Sequence, residues 1–172
     1  MRAFDLAPMN GLVRAVTVVM FLIPAAFLAG TIAGVRLLGP GVAILLLYAW
    51  VWVRMRPRAF VVHDDRLEVE WPMKRRSIPR SSIASVSRID RQALRDQVGW
   101  GMRIGIGGLW GAFGWLWTTR RGLVQMYVSR TSDLVWIDRR EGRSWLVSPA
   151  SPDAFIAALS GTSTPDQPQR QK

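Results

Sequence analysis

The stretch AVTVVMFLIPAAFLAGTIAGV, residues 15–35, is followed after a single arginine by LLGPGVAILLLYAWVWV, residues 37–53. Neither run contains a charged side chain. A bilayer core takes about 20 apolar residues in helix, with a working range of roughly 17–25. The runs are 21 and 17 residues long, bracketed by Arg14 and Arg54 and separated only by Arg36. They read as a transmembrane α-helical hairpin. Pro24 interrupts the first run, which a spanning helix tolerates because neighbouring groups satisfy the freed carbonyl. Gly39, Pro40 and Gly41 are expected to form the turn, so that the second helix starts late.

The flanking charges orient the hairpin. Arg2 and Arg14 lie at one end, Arg54, Arg56 and Arg58 at the other, and the connecting loop holds only Arg36. The excess of arginine outside the loop predicts a multi-pass protein of the cell membrane with N- and C-termini cytoplasmic. Tyr48, Trp50 and Trp52 then fall where an aromatic belt is expected. A cleaved signal peptide is the rival reading of the first run, with small residues near Ala29 and Ala33 as the cut site. That reading also leaves the C-terminal part inside if the second run stops transfer. A core hairpin buried in a soluble protein would need a larger partner domain than this chain supplies.

The hairpin takes residues 1–55 of 172, leaving one small domain at 56–161 and a polar, Pro- and Gln-containing tail at 162–172 that reads as disordered. The net charge is +11, and residues 54–172 carry 20 basic against 11 acidic side chains. Such a surface attracts polyanions, and beside a membrane the nearest is the lipid headgroup layer. The chain has no cysteine, which excludes disulfides and thiolate metal sites.

The domain reads as β followed by one helix. Leu67, Val69 and Trp71 alternate with Glu68 and Glu70, the period-2 pattern of a half-buried strand with a solvated acidic face. Asp64-Asp65 joins this strand to Ala59–His63 as a hairpin, and Pro72 ends it. Lys74-Arg75-Arg76 is expected as a basic turn leading through Ser77–Arg80 to a segment at Ile83–Ile89. Val124, Met126 and Val128 alternate with polar neighbours. Leu134–Ile137 and Arg143–Ser148 flank a turn containing Gly142. Ser151 as N-cap, Pro152 at the first helical position and Asp153 on the dipole open a final helix, which carries Phe155, Ile156 and Leu159 and ends at Gly161. Six or seven strands and one capped helix imply a small barrel or sandwich plugged by that helix.

Four stretches together resemble the bacterial pleckstrin-homology-like (PH-like) domains. They are Phe60–Val69, the run Arg75–Val86 with its Ile78-Pro79 step, the glycine-rich middle, and Trp145–Pro149 leading through Pro152-Asp153 to Phe155 and Leu159. The likeness covers residues 57–161. It implies a mainly β PH-like barrel or sandwich closed by one C-terminal helix, and a non-enzymatic role; it brings no ligand with it. In lipid-binding PH domains basic residues around the first hairpin loop hold headgroup phosphates. Here that turn is Asp64-Asp65, too short and of the wrong charge, so nonspecific attraction to anionic lipid is better supported than a headgroup pocket.

Two constellations are candidate contact sites. Lys74, Arg75, Arg76 and Arg80 form a basic cluster for anionic lipid, worth about 1 kcal/mol per residue near an anionic surface; its plain alternative is a solvated turn. Arg54, Arg56 and Arg58 read as topology determinants. Trp50, Trp52, Trp110, Phe113, Trp115 and Trp117 are candidate membrane-interface residues. Four of these lie in Gly99–Thr119, where seven glycines interleave with aromatics. Three readings of that segment stand open: core strands with glycine at close backbone approaches, an apolar flap in the interface, or a third span or re-entrant loop. It is not a dinucleotide fingerprint, since Trp110 stands where a third glycine belongs.

Catalysis has little foundation here: His63 is the single histidine, no metal set can be completed around it, and no nucleophile–base pair emerges, so a membrane enzyme with an unrecognised site is the weaker reading. Asp90 and Asp96 beside Arg91 and Arg95 read as surface pairing. No cofactor is expected, and nucleic acid is disfavoured because no stacking platform accompanies the basic turn. The expected function is a membrane-tethered, cytoplasm-facing PH-like interaction module that contacts anionic headgroups or a membrane protein partner. The alternative is a small accessory subunit of a larger membrane complex.

Overall fold

The computed structural model describes residues 1–34 and 36–161; the expected disordered tail, 162–172, lies outside the described residues. Helix α1 (Gly11–Ile32) and helix α2 (Leu38–Met55) form an antiparallel pair. At 1.5 Å per residue they are about 33 and 27 Å long, each near the thickness of a hydrocarbon core. Both are long and apolar enough to cross a membrane, and their surfaces are open: Val18, Val19, Leu22, Leu46 and Leu47 are exposed. Asn10 caps α1 by accepting from the Val13 N–H at 3.1 Å. The turn falls earlier than expected. Gly39, Pro40 and Gly41 lie inside α2, where Pro40 occupies the first turn and its missing N–H has no intrahelical role. Gly41 lies against Phe27 and Leu28, letting the helices approach closely.

A β-domain of two sheets follows, with one strand contributed from before the helices. Strand β1 (Arg2–Asp5) pairs antiparallel with β2 (Ala59–Val62), placing Asp5 opposite Ala59. Strands β3 (Arg66–Glu70) and β4 (Arg75–Pro79) complete the first sheet in the order β1-β2-β3-β4. The β2–β3 turn is Asp64-Asp65 as expected, closed by the His63 N–H donating to the Arg66 carbonyl at 2.8 Å. The next turn is Pro72-Met73, closed by the Trp71 N–H on the Lys74 carbonyl. Arg75 and Arg76 therefore lie in β4 rather than in a turn.

A 3₁₀ turn (Arg80–Ser82) carries the chain into the second sheet. That sheet comprises β5 (Ile83–Ile89), β6 (Gly101–Gly107), β7 (Ala112–Thr118), β8 (Gly122–Val128), β9 (Leu134–Arg139) and β10 (Trp145–Val147), in the order β5-β9-β10-β8-β7-β6. Strand β10 is antiparallel to β9 and parallel to β8. The two sheets do not close into a barrel; they form a PH-like sandwich. Helix α3 (Arg91–Val98) was not expected. Asp90, read as a surface-pairing residue, is its N-cap and accepts from the Ala93 N–H at 2.7 Å.

The main core lies between the sheets. Phe60, Leu67, Val69 and Ile78 face Tyr127, Val135, Ile137, Trp145 and Val147. Helix α4 (Pro152–Ser160) drives Phe155 and Leu159 into the same core, with the Phe155 ring edge-on to Phe4 and Phe60. Burying each such side chain contributes roughly 1.5–3 kcal/mol. The opposite face of the second sheet carries Val124, Met126, Leu134, Trp136 and Leu146, partly covered by Leu94 and Val98 of α3.

Candidate membrane and headgroup interface

The β-domain is docked on the helices through the tip of the β6–β7 hairpin. Between these strands lies the turn Gly108-Leu109-Trp110-Gly111, closed by the Gly108 N–H on the Gly111 carbonyl at 2.9 Å. Thr17, a polar residue buried on an apolar helix, meets this turn. Its Oγ1 accepts from the Trp110 N–H at 3.0 Å and lies 3.1 Å from the Gly108 carbonyl and 2.8 Å from the Val13 carbonyl, either of which can take its proton. The Trp110 ring lies edge-on to Trp52 (4.8 Å between centroids), Phe21 and Tyr48. Tyr48 in turn donates to the Met20 carbonyl of α1. The hairpin tip is thus fixed at the level of residues 17–21 of α1 and 48–52 of α2.

The strands behind the tip explain the glycine-rich segment: Gly99–Thr119 is largely an antiparallel hairpin. Gly105 stands opposite Gly114 in the ladder. A Cβ on Gly105 would sit 2.6 Å from the Phe113 carbonyl oxygen, and one on Gly114 would sit 2.5 Å from that of Ile104. Both have φ of +130°, so the backbones approach as only glycine permits.

The expected interface aromatics separate into three groups. Phe113 is 1 % exposed and packs in the core between the sheets, so it cannot meet lipid from this position. Trp110 is enclosed by the aromatic rings of the two helices. Trp50, Trp52, Trp115 and Trp117 are exposed, at 50, 40, 39 and 42 %. Trp115 and Trp117 share a face with Phe113, but beyond Phe113 that face is open. Ile104 pairs with Trp115 and Met102 with Trp117, and Trp100 lies edge-on to Trp117, so the open part is one apolar row.

The basic residues separate likewise. Lys74 lies at the β3–β4 turn, its ammonium 4.6 Å from the Trp71 ring centroid, while the Trp71 Nε1 donates to the Met55 carbonyl at the end of α2. Burial, then the positive charges of Arg54 and Arg76, lower the Lys74 pKa. Arg76 donates to Gln125 Oε1 at 3.1 Å and lies over Trp145. Arg56 lies 4.3 Å over the Trp52 ring. Lys74 and Arg76 therefore belong with Arg54 and Arg56, residues read from sequence only as topology determinants. Arg75 is already engaged, 3.5 Å from Glu68 and 3.3 Å from Glu70. Glu68 is buried on the sheet's outer side among Arg66, Arg75 and His63, not on a solvated face. Arg80 lies beyond the far end of β4, about 17 Å along the strand at 3.3–3.4 Å per residue. It donates to the Ala158 and Leu159 carbonyls at the end of α4, at 3.1 and 2.6 Å, so it anchors that helix instead of joining the cluster.

The sequence family described as Bacterial PH domain matches residues 58–163. The chain belongs to that family. The match covers the PH domain from β2 to α4, whereas β1, which the same sheet includes, lies outside it. No curated protein and no solved structure matches the chain. Among the described residues no group of three or more His, Asp or Glu side chains is placed to hold a metal ion.

Proposed function

We propose that this PH domain is a membrane-tethered, cytoplasm-facing interaction module without enzymatic activity, contacting anionic headgroups through Lys74 and Arg76 together with Arg54 and Arg56. PH domains are interaction modules, and two helices able to span a bilayer lead into this one. The observation that carries the proposal is the meeting of two features at the base of the helices, the docked Trp110 tip and the arginine–lysine cluster beside Met55, with the exposed Trp115–Trp117 row running outward from that tip along β7. Trp at that level suits the interface, and the cations suit anionic lipid. The arginine distribution supports the cytoplasmic orientation. Removal of a signal peptide near Ala29 or Ala33 would strip β1 from the sheet and Leu6 and Ala7 from the interior, which favours retention of both helices.

The test is amide hydrogen exchange on the full chain in nanodiscs of phosphatidylcholine with and without phosphatidylglycerol. Residues 72–78 and 112–118 should exchange more slowly in the anionic discs, and salt should reverse the effect. Equal exchange in both discs would overturn the headgroup contact. It would leave the exposed Met102–Ile104–Trp115–Trp117 row as the docking face of a membrane protein partner, the accessory-subunit alternative.

A further inference from the structure

On the side of the second sheet away from the first lies an open cavity of about 940 Å³. Its floor is the sheet, through Leu116, Met126 and Leu146; one wall is α3, through Leu94 and Val98; the other is the first turns of α1, through Leu12, Val13 and Val16. The hydrophobic floor is the second apolar cluster of the domain, and α3 covers only part of it. Such a volume is that of a small-molecule pocket, for which roughly 300–1,000 Å³ is usual.

Four arginines also line the cavity: Arg91 and Arg95 on α3, Arg103 on β6, and Arg130 after β8. No acidic side chain lines it; the two acids of the α3 segment, Asp90 and Asp96, point elsewhere in that Asp90 caps the helix and neither borders the cavity. Among the described residues none of the four arginines forms an ion pair. Arg130 donates through one terminal nitrogen to the Asp133 and Pro149 carbonyls, while its Nε is buried without a partner. A buried guanidinium N–H left unpaired is costly unless an acceptor arrives. The cavity is therefore apolar within, cationic around it, and walled by the residues where α1 begins.

We propose that this cavity seats an acyl chain of an anionic membrane phospholipid, with the phosphate held by the arginines. The chain reaches it laterally along Leu12, Val13 and Val16, because that wall continues into the apolar surface of α1. The proposal rests on the membrane-tethered reading but not on the Lys74–Arg76 cluster, which lies at the β3–β4 turn on the other side of the second sheet.

The experiment is native mass spectrometry of the full chain extracted from bilayers in mild detergent, after exchange against phosphatidylglycerol, phosphatidylcholine or oleate. Phosphatidylglycerol should be retained, and the double variant Arg95→Glu/Arg103→Glu should lower retention at least about tenfold, since each reversal replaces an attraction for the phosphate with a repulsion. Leu94→Trp, which fills the cavity without altering charge, should lower it as well, whereas Lys74→Glu should not. Equal retention of phosphatidylcholine, preference for oleate, or indifference to both cavity variants would overturn the proposal. If the chain resists alkaline extraction from bilayers yet retains no phosphatidylglycerol, this inference alone fails. If it leaves the bilayer without detergent, the tethering reading fails first and this site with it.

Discussion

The backbone N–H of Trp110 donates to the side chain of Thr17 at 3.0 Å, across 93 residues of sequence. The Thr17 hydroxyl, buried on a mainly apolar helix, thereby satisfies a buried hairpin turn. Thr17→Val keeps the shape and removes the oxygen. The Trp110 N–H and Gly108 carbonyl then lose that partner, at a cost of roughly 1–3 kcal/mol. Exchange at amides 107–112 should accelerate by one to two orders of magnitude, about 1.4 kcal/mol per factor of ten, while Thr17→Ser should restore protection. Unchanged exchange in Thr17→Val would show that the aromatic contacts of Trp110 hold the tip without the hydroxyl.

Gly105 and Gly114 face each other where two strand backbones come within the space of a single methyl group. Alanine at either site meets a carbonyl oxygen and also takes a positive φ, so the loss should exceed the roughly 1 kcal/mol of an ordinary glycine effect. Gly107→Ala is the control, since its Cβ would enter open space. Thermal unfolding in a fixed detergent should fall clearly for Gly105→Ala and Gly114→Ala and stay within error for Gly107→Ala.

Arg80 and Lys74 were grouped by sequence and are separated by structure. Arg80→Met should remove charged hydrogen bonds to the α4 carbonyls and destabilise the domain by about 1.5–3 kcal/mol. It should leave the lipid dependence of exchange at 72–78 unchanged. Lys74→Ala should do the reverse, with stability held and the phosphatidylglycerol effect reduced. A loss of lipid response in a folded Arg80→Met would restore Arg80 to the headgroup site.

Asp133 meets the Arg88 guanidinium, whose hydrogen bond lowers the carboxyl pKa despite some opposing burial. A carboxylate held low in the folded state adds stability above its unfolded pKa and loses it as pH falls through the folded value. The pair is exposed, so the consequence is local. In a carboxyl-carbon NMR titration Asp133 should stay ionised below the usual carboxylate range, and Arg88→Ala should move its titration upward toward that of an ordinary aspartate. No movement in the variant would assign the shift to Arg130 or Ser132.

Legibility in the sequence followed the physical range of each signal. The two helices and the strands around Val69, Met126 and Trp136 announce themselves through uncharged length or alternation, both local properties. Helix α3 could have been found, because Asp90 and Gly99 bracket it as cap and stop, but its charged composition masks the short Leu94–Val98 stripe. Alternation in Met102–Ile106 and Phe113–Trp117 was present but silent about coverage: Phe113 is buried and Trp115, on the same face of β7, is not. Strand β1 has four residues with Phe4 alone turned toward the core, and its partner lies beyond two helices. Arg80 reaches carbonyls 78 and 79 positions away, a contact no local pattern encodes.

The pairing of Arg2–Asp5 with Ala59–Val62 ties translation to folding. Strand β1 is made before its partner and waits unmatched until both helices and the next strand have been made. Closing a flexible loop of that length carries an entropic cost; the two antiparallel helices return the chain to within about 10 Å of its start and remove most of it. Pairing of the helices and completion of the sheet thus become one event. A chain whose helices fail to pair leaves β2 with a bare edge, the template on which misassembly begins.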